Sequence, residues 1–308
     1  MTPGVGQPGP IVVGVERSDR SRDALALART LARALTTRLI LVAVHTGDVQ
    51  SRAMAQEAEA ALEWVARPLS GVVVESRTVA CNSVPHGLQR IAEAEGALAI
   101  VVGPSHRGPI GRIVPGSVGE RLLHGAPCPV AVAPRGYWGE AYAGIKTVGV
   151  GYTAVPEAVE ALNAAVGLAA RTGAAVRVLS VVEPPTVSAT LPLGWGIGEL
   201  EETERADLTG RIAHAIEGVA APVQISGAVV DGYADDELAH LSRDVDLLVC
   251  GSRGQGLVGS VMLGNVSTGV LRKACCPVLV VPRGARDGFA DLRAPEAEVV
   301  LGAAPGSR

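Results

Sequence analysis

Glycines repeated in one order are the feature of this chain best suited to chemistry. Gly103, Gly108, Gly111, Gly116, Val118, Leu123, Ala126, Cys128 and Pro129 recur without a gap as Gly251, Gly256, Gly259, Gly264, Val266, Leu271, Ala274, Cys276 and Pro277, an offset of 148 (251 − 103). An apolar strand precedes each copy and another follows it. Glycine permits positive φ and lets main-chain N–H groups come close to a ligand. Ser117 and Asn265, next to Gly116 and Gly264, are residue types that cap a helix start. A helix N-terminus reached through such a loop suits a phosphate chain. Arg107, Arg112 and Arg253 could meet part of its charge. Neither loop is a P-loop, and neither contains a lysine. A dinucleotide fingerprint would follow the first strand, where Glu16, Arg17 and Ser18 stand instead.

Other chemistries find less support. Hydrolysis or phosphoryl transfer needs metal ligands and a group that positions the nucleophile. No acidic pair beside either loop suits Mg²⁺, and the histidines, among them His45, His124, His214 and His240, show no metal-binding pair. Asp246 reads as a residue at a strand start rather than a catalyst. The five cysteines are few, odd in number and without metal-site spacing, which fits structural thiols in a reducing compartment. Adjacent Cys275 and Cys276 have poor geometry for a disulfide.

These loops need a frame. A length of 308 residues predicts two domains. Hydrophobic residues at 48% can fill two cores, and aromatic residues at 3% make those cores aliphatic. A net charge of −4 with mixed signs argues against nucleic-acid binding. No apolar run approaches the ~20 residues of a membrane span. Residues 1–10 lack the pattern of a signal peptide. A soluble, cytoplasmic protein is expected.

Strands are predicted at Ile11–Val15, Leu39–Val44, Val72–Val79, Leu98–Val102 and Val130–Ala133. Helices are expected between them at Ser21 onward, Ser51–Arg67, Val84–Ala94 and Ser117–His124. The second half repeats the order with strands Thr147–Val150, Ala175–Val181, Val223–Val230, Asp246–Cys250 and Val278–Val281. Its helices are expected at Pro156–Arg171, Gly198–Glu217, Asp235–Arg243 and Asn265–Lys273. Alternation without tight hairpins implies right-handed crossovers and parallel sheets. The fold class is therefore α/β: two tandem five-stranded, doubly wound, Rossmann-like domains at 11–135 and 145–283. Residues 136–144 form a linker, and 1–10 and 284–308 read as disordered tails. Glu183–Gly198 is an insertion that the first half lacks, either a lid or a plain surface loop.

At this point the residues resemble the universal stress protein family, over about 10–135 and 145–283. Its nucleotide-binding members carry G-x2-G-x9-G-[ST] after the fourth strand. The second copy has Gly251, Gly254 and Gly264, with Asn265 in the last place. The first has Gly103, Gly116 and Ser117, with His106 replacing the middle glycine. Ala126–Val130 and Cys275–Val278 resemble the family's run into the fifth strand. The resemblance implies ATP or a related adenine nucleotide as ligand, with or without Mg²⁺, and a role in stress regulation alongside an unidentified protein partner. It places an acid at the end of the first strand against the adenosine, here Glu16 in one half and Gly151 in the other. It places the backbone of Val44 and Val181 near the adenine. A dedicated enzyme is the weaker reading, with slow autophosphorylation or ATP hydrolysis left open. A ligand-free interaction scaffold of the same fold is the alternative. The fifth strands, Val130–Ala133 and Val278–Val281, would be exposed apolar edges unless they meet, so an intrachain pseudo-dimer is expected, with a further homodimer open.

Overall fold

The computed structural model describes residues 8–45, 56–57, 59–63, 71–105, 113, 116–139, 144–153, 155–184, 197–252, 264–284, 288–289 and 292. Outside them lie His106, Arg107, Arg112, Arg253 and Gly254, together with much of the expected 51–67 helix, the 183–198 insertion, the linker and both tails.

The first half runs β1 (Ile11–Gly14), α1 (Asp19–Leu35), β2 (Leu39–His45), β3 (Val74–Ala80), α2 (Val84–Glu95), β4 (Ala99–Val102), α3 (Ser117–Leu123) and β5 (Val130–Val132). A 3₁₀ turn at Tyr137–Gly139 leads to the second half. That half comprises β6 (Thr147–Gly151), α4 (Pro156–Thr172), β7 (Ala175–Val182), α5 (Ile197–Glu217), β8 (Ile225–Asp231), α6 (Ala234–Leu241), β9 (Leu247–Gly251), α7 (Asn265–Lys273) and β10 (Val278–Val281).

The fold is α/β, and the two five-stranded sheets are one. Strand order is β3-β2-β1-β4-β5-β10-β9-β6-β7-β8, parallel within each half. At the joint β5 and β10 pair antiparallel, with Val132 opposite Val278, Ala131 opposite Leu279 and Val130 opposite Val280. All six of these residues are fully buried. Unpaired, they would be apolar edges open to other chains.

The strand side chains divide cleanly. Ile11, Val13, Leu39 and Leu41 face a core shared with α1 and α4, while Val12, Ile40 and Val42 face one shared with α2, α3, α6 and α7. Strands covered on both faces are apolar throughout, as the sequence predicts. The edge strand β3 alternates in exposure instead, and no residue of the edge strand β8 is fully buried. The expected face of α1, with Leu25, Ala28, Leu31, Ala32 and Leu35, is buried. Three helices end on a left-handed residue: Thr36 (φ 53), Gly96 (φ 58) and Gly173 (φ 71).

Three segments are held more firmly than the sequence suggests. Asp23 on α1 is buried, and its carboxylate accepts from the amides of Gly136 (3.0 Å) and Trp138 (3.1 Å), fastening the start of the linker. Arg22 lies over the Trp138 ring at 5.4 Å. Within the stretch expected as a C-terminal tail, Phe289 and Leu292 are buried in the α1/α4 core. A tail reading does not hold at those two positions. Pro8 and Gly9 likewise are tied down, through their carbonyls to the Thr37 hydroxyl.

Candidate functional site

In each half strand order reverses between the first and fourth strands, β1/β4 and β6/β9. A doubly wound sheet binds ligands in the crevice beyond the carboxyl ends of those strands. Gly103 and Gly251 stand at these ends, and Gly116 and Gly264 precede the helices that follow.

The glycines divide into two kinds. A Cβ on Gly103 would lie 2.3 Å from the main-chain oxygen of Arg20, and one on Gly251 would lie 2.6 Å from that of Glu157. In both halves the first turn of the first helix rests on this glycine, so helix packing already requires it. Gly116 differs. Its φ is −77° and ψ 171°, extended values open to any residue, and among the described residues a Cβ there would meet only the Ser105 Cα at 3.8 Å. Gly264 is also extended, with φ −64° and ψ 156°.

Gly116 and Gly264 are themselves the N-caps, and among the described residues no side chain closes either helix start. Ser117 and Asn265 occupy the first helical position rather than the capping position, which corrects the sequence expectation. The physical reason is that the glycine carbonyls accept the first helical bonds, from Glu120 (2.9 Å) and Thr268 (3.0 Å). The Gly264 amide donates to the Ser252 carbonyl at 2.8 Å, which sets α7 against the end of β9. Ser267, one turn inside α7, adds a second tie through its hydroxyl to the Gly251 carbonyl at 2.7 Å. Sequence reading missed Ser267 because Gly119 fills its place in the first copy.

At the adenosine end the register corrects a second expectation. Ile11 pairs with Leu39 and Ala99, while Val148 pairs with Val176 and Leu247. Val15 donates to Val42 as Tyr152 does to Leu179. The partner of Glu16 is therefore Thr153, two residues beyond Gly151. Gly151 matches Gly14 instead, and each is a glycine for a local reason: a Cβ would lie 2.9 Å from Leu88 or Leu238 Cδ1 respectively.

Glu16 is half exposed, and its carboxylate is engaged by the Arg20 guanidinium and by the Ser18 hydroxyl at 2.6 Å. Its amide donates to Ser21 Oγ at 2.8 Å, holding the turn out of β1. Val44 and Val181 lie near the ends of β2 and β7, within their strand pairings. Val44 packs on α2, where Gly87 leaves room for it: a Cβ there would lie 2.9 Å from Val44 Cγ2. Glu16 follows β1, Gly103 follows β4, and Gly116 and Ser117 open α3 in one half; Gly251 ends β9, and Gly264 and Asn265 open α7 in the other. His106, Arg253 and Gly254 lie outside the described residues.

At the far end of α7, Lys273 joins it to α6 through Asp235 (2.6 Å) and Asp236 (2.8 Å). Among the described residues no group of three or more His, Cys, Asp or Glu is placed to hold a metal ion. None of the described helices is long and apolar enough to cross a membrane. Burial pushes the thiols of Cys128 and Cys250 up to about 12.

Comparison with known proteins fits this architecture. The universal stress protein family model matches twice, at residues 9–134 and 144–282. A universal stress protein of Mycobacterium tuberculosis (strain ATCC 25618 / H37Rv) is 29% identical over 239 residues, covering 74% of this chain and 79% of its own. One from Mycolicibacterium smegmatis is 32% identical over 191 residues, covering 62% and 64%. Among solved structures, a universal stress protein from Archaeoglobus fulgidus DSM 4304 superposes with a TM-score of 0.64 at 19% identity, covering 91% of this chain and 100% of that one. A protein of unknown function from Pseudomonas aeruginosa PAO1 gives 0.62 at 20%, covering 93% and 96%. At such identities the superpositions speak for the fold. With two family matches laid over two pseudo-symmetric halves, the chain belongs to the universal stress protein family.

Proposed function

We propose that this chain is a non-catalytic stress regulator that binds ATP or a related adenine nucleotide in the crevices above β1/β4 and β6/β9. Gly116 carries the reading. Neither its φ nor any described neighbour requires a glycine, whereas a phosphate oxygen approaching the amides of the first helical turn does. The phosphates sit against Gly116–Ser117 in one half and Gly264–Asn265 in the other. The adenosine reaches toward Glu16 or Thr153 and the backbone of Val44 or Val181. Mg²⁺, where present, arrives on the nucleotide's own phosphates. Binding alters a surface that a protein partner reads in the cytoplasm.

A second reading, a ligand-free scaffold, is favoured by one observation. The Glu16 carboxylate is already bonded to Arg20 and Ser18, so a ribose hydroxyl must compete for it. Losing a charge-assisted bond costs about 1.5–3 kcal/mol, roughly ten- to a hundredfold in affinity. Titration calorimetry with Mg-ATP separates the two. Saturable heat supports the regulator. Its absence at high protein concentration, with binding appearing only in Glu16→Asp/His106→Gly protein, supports the scaffold.

A further inference from the structure

A cavity of about 520 Å³ opens outside the two crevices, where the halves meet. Arg29, Thr30 and Arg33 line it from α1, Lys146 from the approach to β6, and Arg171 and Thr172 from the end of α4. Four cations from three segments thus face one space, and no carboxylate is among the described lining residues. Arg33, Lys146 and Arg171 are exposed and make no ion pair among the described residues. The carboxylate of Asp246 accepts instead from the amides of Lys146 (2.8 Å) and Thr147 (2.9 Å), and so serves the main chain.

A simpler explanation accounts for part of this. Arg33 and Arg171 lie in the last turns of their helices, where a cation offsets the negative helix end. That accounts for one cation on each helix. It does not account for Lys146, a third exposed cation that faces the same cavity from a different segment.

The geometry points to a binding site for a compact anion bearing several phosphate groups, seated between the two halves. Arginine forks match phosphate oxygens two at a time, and the flanking threonine hydroxyls add donors. The volume falls in the range of small-ligand sites, roughly 300–1,000 Å³. Because α1 belongs to one half and Lys146 and Arg171 to the other, the bound anion clamps the halves together. The site is independent of the adenine crevices.

The test is calorimetric titration of the full chain with inorganic tripolyphosphate at low salt, on native and Arg33→Glu/Arg171→Glu protein. Both substituted side chains are exposed, so the fold is retained. Native protein should show a binding component that weakens as salt is raised. The double reversal should weaken that component at least about tenfold, equivalent to ~1.4 kcal/mol. Tripolyphosphate held at the glycine loops survives the reversal, so the lost component reports the cavity. Lys146→Gln, a milder change, should weaken it about threefold. No binding up to about 1 mM, or equal affinity in native and reversed protein, overturns the proposal.

Discussion

Replacing Gly103 by Ala separates the two uses of glycine in this loop. The new methyl would stand 2.3 Å from the Arg20 carbonyl oxygen and 2.9 Å from its carbon, both main-chain atoms at the start of α1. Contacts between carbon atoms become favourable only near ~3.5 Å. The helix start must therefore shift by about an ångström, in a packed interior where such overpacking costs about 1–3 kcal/mol. In a chain of this size each kcal/mol lowers Tm by roughly 2–4 °C, so a fall of roughly 2–12 °C is expected. Gly251→Ala, 2.6 Å from the Glu157 oxygen, should behave alike. Gly116→Ala should cost no more than about 1 kcal/mol, the preference for Gly over Ala at an N-cap. On the proposed reading it should nevertheless weaken Mg-ATP binding in the first half, because the phosphates then approach the amide beside the new methyl. Scanning calorimetry beside nucleotide titration reads both effects. A Gly103→Ala protein as stable as native, or a Gly116→Ala protein with native nucleotide affinity, refutes the division.

Thiol labelling gives an independent check of the core. Burial holds Cys128 and Cys250 at about 12 and also raises Cys276, so at pH 8 only Cys81 and Cys275 should react in folded protein. Modification of all the cysteines without unfolding would contradict the packing. Phe289→Ala should cost about 3–5 kcal/mol in urea unfolding, as for other buried aromatics, because Phe289 is fully buried. An unchanged midpoint would show that the segment after β10 does not dock. Bonds from Arg38 and then Arg77 hold the Glu95 carboxyl below its ordinary value of 4.5. The resulting stability is present above that pH and lost as pH falls through the lowered folded-state value. Glu95→Gln should therefore destabilise at pH 7, by no more than about 1 kcal/mol for a partly exposed network. The difference should vanish in acid, as pH-dependent unfolding would record. A difference that grew in acid would reverse the sign of the reasoning.

The repeat, the crossover topology and the buried helix faces were legible in the sequence because each follows a short-range period. The meeting of Val130–Val132 with Val278–Val281 was legible too, since two apolar edges need cover. What escaped was set by contacts distant along the chain. Gly103 and Gly251 are fixed by carbonyls of an earlier helix, which no local pattern displays. Gly151 looked like a lost acid because counting from the strand missed its pairing, which makes it the counterpart of Gly14. Ser117 and Asn265 looked like caps, though the preceding glycines take that place. Phe289, a single aromatic in an aperiodic stretch, gave no sign of docking, and Asp23 gave none of holding the linker.

Amide-resolved NMR during an Mg-ATP titration tests the central proposal most directly. Saturable shifts should appear at Gly116, Ser117, Gly264 and Asn265 and leave the joint at Ala131 and Leu279 undisturbed. Silence at all four helix-start amides at millimolar nucleotide, or shifts confined elsewhere, would contradict nucleotide binding in the crevices.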